Sequence, residues 1–516
     1  MGGFAAGMTV TLVSPALSST EVGWILQNAP PRVIITAKAC LPTLKEALAS
    51  QKNSALYAKI SIFTVNVGAD LYPEPSPKSG LDQPGTYDWT ELLFSGGTAP
   101  KAKFEAAAAE TRTAVILWSS GTSGRSKGVL LSHHALNFAT ASLWHDADYY
   151  QGRQQRWLGY VPLYHVYGLC NLLLLGVSTG STVYMMQSFH LATVLAAVPR
   201  WQITYFHMAP PVAVMLAKAA VVEPYAKRDA QGRNAFSSVV AGVTGGAPLG
   251  HEIVVEVYRR LGFRVRLGYG LSEACSTSLQ NGFSEHIMQA HAGDTGKVHW
   301  GVELMIAAED QDFSKRETRA APVNTPGEIL IRCPGVMTAY LPVGWLGSGA
   351  ADPDMSVTMD ALTPDGWFRT GDVGRLSPTG RLRITDRIKE LIKVRGFQVA
   401  PAELEAILCS SEGVADAGVV GVYDAAEATE WPRAYVVARQ QGKSADELGA
   451  LADELRLLVE GRTTKYKWLQ GGIVFVDEIP KSPSGKILRR ILKEGSVKGY
   501  EVQLYKKKKR SLSAKL

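Results

Sequence analysis

The sequence predicts an α/β protein with a large N-terminal domain and a smaller α+β domain after it. A chain of 516 residues, 46% hydrophobic and 20% charged, can bury a large core and divide into two or more domains. The opening segments alternate between strand-like and helix-like patterns, which is typical of mixed or largely parallel sheets covered by helices. The last third changes to short strands and two helices, which indicates the second domain.

The opening pattern predicts strand, helix, strand, helix and strand in turn. Each strand is a short apolar run, and the first helix carries Val22 and Ile25 on one face before Pro30 ends it. These segments are residues 10–13, 19–26, 33–35, 44–48 and 60–65. Further along, residues 113–118 and 263–267 are predicted to be strands, and each leads directly into a glycine-containing turn.

The last third predicts two strands, at residues 327–332 and 381–385, followed by two helices. Pro401 suits the first turn of one helix, because its fixed backbone angle and missing N–H are tolerated there. Ser444 and Glu447 form a capping-box pattern at the start of the other helix.

The second of these helices is predicted to end at Gly461, since glycine commonly follows a last helical turn. Its apolar face is formed by Leu448, Leu451, Leu455 and Leu458. The boundary between the domains is predicted at Asp386-Arg387. This division gives a large domain of residues 1–386 and a small domain of residues 387–516.

The composition argues against several classes of protein. Much of the net charge of +7 lies in residues 506–510, so an extended nucleic-acid surface is not indicated. The five cysteines are odd in number and lack Cys-x-x-Cys spacing, which argues against disulfides and metal ligation. The most apolar stretch, residues 169–186, is interrupted by Asn171 and is better explained as buried core than as a membrane span.

The most informative segment is a turn rich in glycine, hydroxyl groups and positive charge. Its residues are Ser119, Ser120, Gly121, Thr122, Ser123, Gly124, Arg125, Ser126, Lys127 and Gly128. Glycines let several backbone N–H groups point at one anion, and the hydroxyls and two cations add to this, which indicates polyphosphate binding. The turn is not the P-loop of common NTPases, because Lys127 lies between Ser126 and Gly128 and not before Ser or Thr.

Four further segments carry reactive side chains on turns, and each alone would more often be an ordinary surface turn. They are residues 268–273, 366–372, 386–398 and 481–486. The first brings together Tyr269, Ser272 and Glu273, the second ends at Asp372, and the last presents Lys486 on a glycine-flanked turn. Their joint occurrence, in this order after the polyphosphate turn, argues for one composite site.

With these segments in view, the chain resembles the adenylate-forming superfamily of acyl-CoA synthetases, luciferases and peptide-synthetase adenylation domains. Within it, the chain is most similar to 4-coumarate-CoA ligases and their fungal relatives. The resemblance rests on residues 119–128, 163–165, 245–248, 269–273, 327–328, 370–372, 386–398 and 480–486. It implies a large adenylate-forming domain and a small mobile C-terminal domain, with the hinge near Asp386 and Lys389.

The resemblance also implies a two-step reaction in one site, with ATP, Mg²⁺ and coenzyme A. A carboxylate attacks the α-phosphate of ATP to give an acyl-adenylate and pyrophosphate, and a thiol then displaces AMP. The expected substrate is an aryl or medium-chain acyl acid. The residues alone leave these two classes open.

The nucleotide site implied by the resemblance uses the polyphosphate turn, from Ser119 to Lys127, together with Ser272. Glu273 is the expected Mg²⁺ ligand, and Asp372 is expected to accept from both ribose hydroxyls. Arg387 adds a second ribose contact. The adenine is expected to be enclosed by Gly246, Ala247, Pro248 and Tyr269, and Gly270 is expected to contribute to the same nucleotide site.

The catalytic residues implied by the resemblance are Lys486, Lys393, Gln398 and His165. Lys486 is expected to bridge the attacking carboxylate and the α-phosphate, where its charge stabilises the transition state. Lys393 is expected to serve the thioester step. The acyl pocket is expected to be lined by His165, Tyr167, Gly168, Gly245, Gly246 and Gly270.

The two ends of the chain lead to two further predictions, one about the size of the large domain and one about the location of the protein in the cell. Relatives have further helices and strands ahead of the segment that matches residues 2–48, so the large domain is expected to be N-terminally short. The terminal Ala514, Lys515 and Leu516 form a close variant of the Ser-Lys-Leu address, which predicts a peroxisomal import receptor as partner and a peroxisomal matrix protein of secondary metabolism. A chance tripeptide on a basic tail would leave the protein cytoplasmic.

Two alternatives to a coenzyme A ligase stay open at this point. One is an adenylate-forming enzyme whose acceptor is a carrier protein or oxygen. The other is a non-catalytic remnant that binds nucleotide, which the short N-terminus suggests. The predicted ligands are small molecules, with neither a nucleic-acid partner nor a membrane span.

Overall fold

The computed structural model confirms the predicted α/β fold class, with separate sheets packed among helices. The part of the chain that it describes comprises residues 2–51, 59–65, 81–83, 85–94, 102–103, 105–119, 126–145, 154–315, 317–343, 353–395, 397–424, 427, 429–482, 485–495 and 497–505.

One sheet carries both arms of the polyphosphate turn. Its order is β1 (Val10–Leu12), β6 (Thr113–Ser119), β7 (Lys127–Ser132) and β17 (Ala339–Tyr340). β1 is parallel to β6, whereas β7 is antiparallel to both of its neighbours, β6 and β17. The turn therefore leaves the end of β6 and returns at Lys127, which is the first residue of β7.

The largest sheet has seven strands and forms the floor of the candidate site. In spatial order they are β14 (Lys297–Val298), β13 (Cys275–Leu279), β12 (Arg264–Leu271), β11 (Ala241–Thr244), β10 (Tyr205–Met208), β8 (Arg156–Gly159) and β9 (Thr182–Met185). The strands from β12 to β9 are parallel, and β13 and β14 extend the sheet antiparallel. Their register aligns His207, Val243 and Arg266 in one row across β10, β11 and β12.

Two four-stranded sheets complete the large part of the molecule. One is antiparallel, with the order β15 (Glu303–Ile306), β16 (Gly327–Arg332), β18 (Phe368–Leu376) and β19 (Leu382–Arg387). The other has the order β2 (Val33–Ala37), β3 (Ser61–Val65), β5 (Thr86–Asp88) and β4 (Leu81–Gln83). β2, β3 and β5 are parallel, as the opening alternation predicts.

The helices of the large part lie between and over these sheets. They are α1 (Gly2–Ala5), α2 (Ser19–Asn28), α3 (Leu41–Ala49), α4 (Glu91–Phe94), α5 (Ala106–Thr111), α6 (His133–His145), α7 (Leu175–Ser178), α8 (Leu191–Trp201), α9 (Pro210–Lys218), α10 (Glu223–Ala226), α11 (His251–Leu261), α12 (Glu285–Ala290) and α13 (Ser356–Met359). A π-helix spans Gly168–Leu174, and 3₁₀ turns span Lys38–Cys40 and Ala220–Val222. In the described part of the chain, no helix is long and apolar enough to cross a membrane.

The C-terminal part has its own core and sheets. Its strands are β20 (Ile392–Val394), β21 (Phe397–Val399), β22 (Val414–Asp424), β23 (Thr429–Ala438), β24 (Ile473–Phe475) and β25 (Tyr500–Val502). β20 pairs with β21, and the other strands form a mixed sheet in chain order. Its helices are α14 (Pro401–Cys409), α15 (Ala445–Arg462) and α16 (Arg489–Lys493), with a 3₁₀ turn at Lys465–Lys467.

The capping box and the proline located the starts of α15 and α14 correctly, whereas the predicted end of α15 was wrong by one residue. Ser444 caps α15 in a capping box with Glu447, and Pro401 is the first residue of α14. The prediction that Gly461 ends the helix is wrong, because α15 continues to Arg462. Thr463 adopts an extended backbone there, and its hydroxyl donates to the carbonyl of Val459, so the helix ends without a glycine.

The predicted boundary at Asp386-Arg387 falls at the end of β19. Arg387 pairs across the sheet with Asp372 of β18, while one carboxylate oxygen of Asp386 accepts from the backbone N–H of Ala402 at the start of α14. Burial raises the pKa of Asp386 above its usual range, and Arg489 opposes this rise. Asp386 thus ties the last strand of the large part to the first helix of the small part.

Candidate active site

A cavity of about 720 Å³ lies above the seven-stranded sheet and is closed by residues of the C-terminal part. Its wall includes predicted residues from both parts of the chain, among them Glu273 from the large part and Lys486 from the small part. The residues of its wall fall into three regions: one next to Asp372, one at the polyphosphate turn, and one on and around β10 and β11.

The first region lies next to the buried carboxylate of Asp372, which is not itself part of the cavity wall, whereas Gly371 just before it is. One of its oxygens accepts from the Tyr269 hydroxyl at 2.6 Å, and the other lies 3.0 Å from Nε of Arg387. Burial raises the pKa of Asp372, while Arg387 and Tyr269 act in the opposite direction. Each carboxylate oxygen can accept more than one hydrogen bond, so this fixed, tethered group can also accept from a diol. Tyr269, Gly270 and Arg387 line the cavity here.

A second carboxylate, Glu328, supports the backbone that presents Asp372. Its oxygens accept from Arg369 at 3.0 Å and from the backbone N–H of Gly371 at 3.1 Å. The Thr370 hydroxyl donates to Ile329 and accepts from the backbone N–H of Asp372. These bonds between β16 and β18 hold the turn before Asp372 in one geometry.

Lys486 reaches the cavity from a turn of the small part. Gly485, just before it, has a φ of +84°, and a Cβ there would lie 2.8 Å from Pro211 of α9, so glycine is needed for the conformation and the close approach. The Lys486 ammonium lies 3.7 Å from Glu390, whose other oxygen receives Arg489 at 2.9 Å. Burial and the nearby Arg387 lower the pKa of Lys486, and Glu390 opposes this.

The second region contains Glu273 and Lys127. The Tyr340 hydroxyl donates to Glu273 at 2.9 Å, and the Lys127 ammonium lies 4.8 Å from the centroid of the Tyr340 ring. Ser119 and Ser272 belong to the same wall. Indole Nε1 of Trp24, in α2, donates to the carbonyl of Ser126 at 3.1 Å and so supports the returning arm of the turn. The predicted phosphate-binding residues Ser120, Gly121, Thr122, Ser123 and Gly124 lie outside the described residues.

A magnesium ion fits the donor chemistry of this region. Mg²⁺ in nucleotide sites is usually held by one or two carboxylates together with phosphate oxygens and waters. Glu273 supplies such a carboxylate in the cavity wall. Among the described residues there is no cluster of three or more His, Cys, Asp or Glu side chains that would form a site built from protein ligands alone.

The third region is aromatic and polar. His165 and Tyr167, both in the cavity wall, precede the π-helix Gly168–Leu174, and π-helical turns are frequent at functional sites. The Tyr167 hydroxyl donates to the carbonyl of Val243 and accepts from the backbone N–H of Met208, which fixes its ring over β10 and β11. Nε2 of His165 is buried and has no partner among the described residues, and burial lowers the pKa of His165. Gly245 and Gly246 also line the cavity.

Some predicted residues lie away from the cavity. Gly168 was predicted to line the acyl pocket, but it is buried and is not part of the cavity wall. A Cβ at this position would lie 2.1 Å from the carbonyl oxygen of Pro162, so this glycine permits a close backbone contact. Ala247 and Pro248 are likewise absent from the cavity wall. Lys393 and Gln398 face each other across β20 and β21 and are both exposed, outside the cavity.

Sequence reasoning missed Tyr340, Glu390 and His207. Tyr340 and His207 each follow an ordinary apolar segment and carry no turn signal. Glu390 lies within the charged segment 386–398, but nothing in that segment distinguishes it from its neighbours. Their positions follow from strand pairing and domain contact, which local patterns do not encode.

Comparisons with known proteins agree with this geometry. A family model described as AMP-binding enzyme matches residues 1–341, and the model of the C-terminal domain of that family matches residues 403–486. The 4-coumarate–CoA ligase 1 of Solanum tuberosum is 34% identical over 96% of this chain and 81% of its own length. The 4-coumarate–CoA ligase 5 of Oryza sativa is 37% identical over 73% of this chain, and the match spans 64% of that enzyme.

A solved structure shows the same architecture. The O-succinylbenzoate coenzyme A synthetase of Bacillus subtilis, in complex with ATP and a magnesium ion, is 25% identical to this chain. The superposition has a TM-score of 0.68 and covers 95% of this chain and 84% of the other.

Proposed function

We propose that this chain, which belongs to the AMP-binding enzyme family, is an ATP-dependent acid–thiol ligase that joins an aryl or acyl carboxylic acid to coenzyme A. In the first step a carboxylate oxygen bonds to the α-phosphorus of ATP, and the bond from that phosphorus to the bridging oxygen breaks, which releases pyrophosphate. In the second step the sulfur of coenzyme A bonds to the acyl carbon, the thiol proton leaves, and AMP departs.

One observation carries the proposal: Lys486 of the small part lines the same cavity as Glu273, Tyr269 and Arg387 of the large part. Negative charge builds between the carboxylate and the α-phosphate during the first step. A fixed ammonium at that place stabilises the transition state more than the ground state. Glu390 and the Gly485 turn hold Lys486 in position before substrate binds.

The other described residues bind and orient the nucleotide in this proposal. The carboxylate of Asp372, fixed by Tyr269 and Arg387, accepts the ribose hydroxyls. Lys127 and the hydroxyls of Ser119 and Ser272 contact the phosphates. Glu273 would hold a magnesium ion, which when bound would neutralise charge on the phosphate oxygens.

The two half-reactions test this function. Purified protein is assayed for carboxylate-dependent exchange of pyrophosphate into ATP, and for AMP release with thioester formation when coenzyme A is added. In the Lys486→Ala variant, exchange should fall by roughly two to three orders of magnitude. A supplied acyl-adenylate should still react with coenzyme A.

Lys493→Ala is the matched control, because this exposed lysine of α16 lies outside the cavity wall and should change neither rate. Exchange without thioester formation would point to another acceptor, such as a carrier protein. Absence of exchange with every acid tested would contradict an adenylating enzyme and favour a nucleotide-binding remnant.

We further propose that the protein acts in the peroxisome, in secondary metabolism, through the terminal Ala514, Lys515 and Leu516, which lie outside the described residues. Import receptors of this kind recognise the free C-terminus. A reporter that ends in residues 511–516 should therefore collect in peroxisomes, and deletion of Lys515 and Leu516 should leave it cytosolic. A full-length protein that stays in the cytosol would contradict this proposal.

A further inference from the structure

A single guanidinium lies among buried carboxylates behind Lys486. Arg489 is the first residue of α16, and its side chain is 11% exposed. One terminal nitrogen donates to Glu390 at 2.9 Å, and the other donates to both oxygens of Glu405, at 2.8 and 2.9 Å. Nε donates to the carbonyl of Val419 at 3.3 Å. All three nitrogens of the guanidinium are therefore bonded, and its orientation is fixed.

Glu405 anchors this guanidinium to the core of the small part. It belongs to α14, and its side chain is buried. The oxygen that receives Arg489 at 2.8 Å also accepts from the backbone N–H of Val419, in β22, at 2.8 Å. The three residues thus form a closed set of hydrogen bonds between α14, α16 and β22. A guanidinium suits this place, because its planar fork serves several acceptors at once, whereas an ammonium is a single point of charge.

Glu390 connects Arg489 to Lys486. It lies in the segment after β19, and its side chain is also 11% exposed. One carboxylate oxygen is held by Arg489, and the other lies 3.7 Å from the Lys486 ammonium. This distance is longer than a direct N–H···O hydrogen bond, which is usually about 2.7–3.2 Å. Glu390 therefore attracts the ammonium without taking up its hydrogen-bond donors.

The charges around Lys486 show why Glu390 has to be restrained. Burial is the largest cause that lowers the pKa of Lys486, and Arg387 and Arg489 add to it, whereas Glu390 and then Asp372 act in the opposite direction. Glu390 is thus the stronger of the two carboxylates that attract the ammonium. Released from Arg489, it would approach to hydrogen-bond distance, and a charge-assisted bond would then hold the lysine away from its substrates.

We propose that Arg489, anchored by Glu405, is a positioning residue for adenylate formation, which holds the Glu390 carboxylate so that Lys486 is directed to the cavity and not captured. This proposal rests on the proposed function and deepens it. Arg489, Glu405 and Glu390 are all absent from the cavity wall. Their effect should therefore appear in the rate of the step that uses Lys486 and not in nucleotide binding.

Arg489→Lys tests the proposal in the full-length protein, with an acid that supports pyrophosphate exchange. The new ammonium keeps the charge but cannot bond Glu390 and both oxygens of Glu405 in the same geometry. The kcat of exchange should fall by about 10-fold while the KM for ATP stays within about twofold, since Lys486 acts in the transition state. Thioester formation from a supplied acyl-adenylate should stay within about twofold of the wild type.

Arg490→Lys is the matched control. This neighbouring arginine of α16 has an exposed side chain that bonds to Glu494 at 2.7 Å, and it lies outside the cavity wall. The substitution should change neither half-reaction. Thermal unfolding and Mg·ATP binding check that each variant is folded.

A double-mutant cycle shows whether Arg489 acts through Glu390. In the Glu390→Gln background no carboxylate competes for the ammonium, so Arg489→Lys should lower exchange by about threefold or less. The same loss of about 10-fold in both backgrounds would overturn the path through Glu390. Equal loss of both half-reactions, with a lower unfolding temperature, would leave Arg489 as structural support only and would also overturn the proposal.

Glu405→Gln tests the anchor with little change in side-chain volume, and it decides the question if Arg489→Lys does not fold. Glu405 faces Arg489, Asp386, Glu390 and the backbone N–H of Val419, and burial raises its pKa to about 7 against the effect of Arg489. Its ionised form, which holds the guanidinium, therefore prevails above this pH. The ratio of wild-type to Glu405→Gln exchange should be near one at pH 6 and about three- to tenfold at pH 8. The titration of ATP and pyrophosphate cancels in this ratio.

Three outcomes separate this inference from the proposed function. A ratio that does not change with pH would overturn the role of Glu405 as anchor. Exchange that Arg489→Lys leaves unchanged would overturn the role of Arg489 while the ligase function stands. Absence of exchange in the wild type with every acid of a wide panel would contradict the proposed function, and this inference with it.

Discussion

Tyr340 links two groups of the phosphate end that lie far apart in the sequence. Its hydroxyl donates to Glu273, and its ring lies beneath the Lys127 ammonium. It is held in place by β17, whose pairing with β7 sets Tyr340 opposite Val129, and by the Thr358 hydroxyl, which accepts from its backbone N–H. Burial, and then the Glu273 carboxylate, raise the pKa of Tyr340, so the hydroxyl keeps its proton and remains a donor. Tyr340 is therefore a positioning residue for Glu273.

Removal of this hydroxyl should weaken the response to magnesium. In Tyr340→Phe the ring over Lys127 is kept but the bond to Glu273 is lost. The Mg²⁺ concentration that gives half-maximal pyrophosphate exchange should rise by about 10-fold, as for loss of a hydrogen bond that orients a metal ligand. Calorimetric titration of Mg²⁺ into the ATP complex should show the same shift.

Tyr340→Leu, which also removes the ring, should in addition raise the KM for ATP. An unchanged magnesium response in Tyr340→Phe would show that Glu273 needs no support from this hydroxyl.

At the residue scale, sequence reasoning located side chains in glycine-containing or charged segments better than side chains within apolar segments. Glu273, Arg387 and Lys486 were predicted from glycine-containing or charged segments, and all three line the cavity. Tyr340 and His207 were missed, because a strand residue acquires its role from the neighbouring strand, and the sequence does not state which strand that is. Gly168 was misassigned because a glycine needed for backbone packing and a glycine that opens a pocket look alike in sequence.

At the scale of elements, α9 and α14 form a contact between the two parts of the molecule. Nζ of Lys218, the last residue of α9, donates at 2.8 Å to the carbonyl of Cys409, the last residue of α14. The C-terminal end of a helix carries partial negative charge, so an ammonium is favoured there. Lys218 is half-buried at this contact, and its burial lowers the pKa of the ammonium. This contact holds the small part where Lys486 reaches the cavity.

Loss of this contact should slow adenylate formation more than thioester formation. Lys218→Met keeps the length of the side chain but removes its charge, so pyrophosphate exchange should fall by about three- to tenfold, the effect expected for one partly buried charged hydrogen bond. Thioester formation from a supplied acyl-adenylate should fall less, because it does not require Lys486 in the cavity. Lys227→Met, an exposed lysine beyond α10, serves as control. Equal losses in both steps would indicate general destabilisation.

Element positions were largely predictable, because apolar runs and caps are local signals. Ser18 caps α2 in a capping box with Glu21, and α15 has the same device at Ser444. The sheets to which strands belong were not predictable. The opening strands are divided between two sheets, with β1 beside β6 and β2 beside β3, since β1 pairs with a strand about 100 residues away.

At the scale of the whole molecule, the small part carries both lysines that are assigned to the two steps of the reaction, Lys486 to adenylation and Lys393 to thioester formation. Lys486 lines the cavity, whereas Lys393, on β20 of the same part, is exposed and lies outside it. The backbone N–H of Lys393 donates to Glu430 and its carbonyl accepts from the Thr429 hydroxyl, so β23 holds the backbone of Lys393 while its side chain stays in solvent. Of these two lysines, Lys486 alone lines the cavity in the arrangement seen here. A role for Lys393 therefore requires the small domain to turn about the segment after β19.

This arrangement predicts opposite effects of the two lysines. Lys393→Ala should leave carboxylate-dependent pyrophosphate exchange within about twofold of the wild type, because its side chain is remote from the cavity in the adenylating arrangement. Thioester formation from a supplied acyl-adenylate should fall by about 10- to 100-fold, the range for loss of one positioned charge or proton-transfer group. Lys486→Ala should show the reverse pattern. Since both lysines belong to one domain, a general loss of folding would lower both steps together, whereas crossed losses require two orientations of that domain. Equal loss of both steps in Lys393→Ala would contradict the rotation and leave Lys393 as an ordinary surface residue.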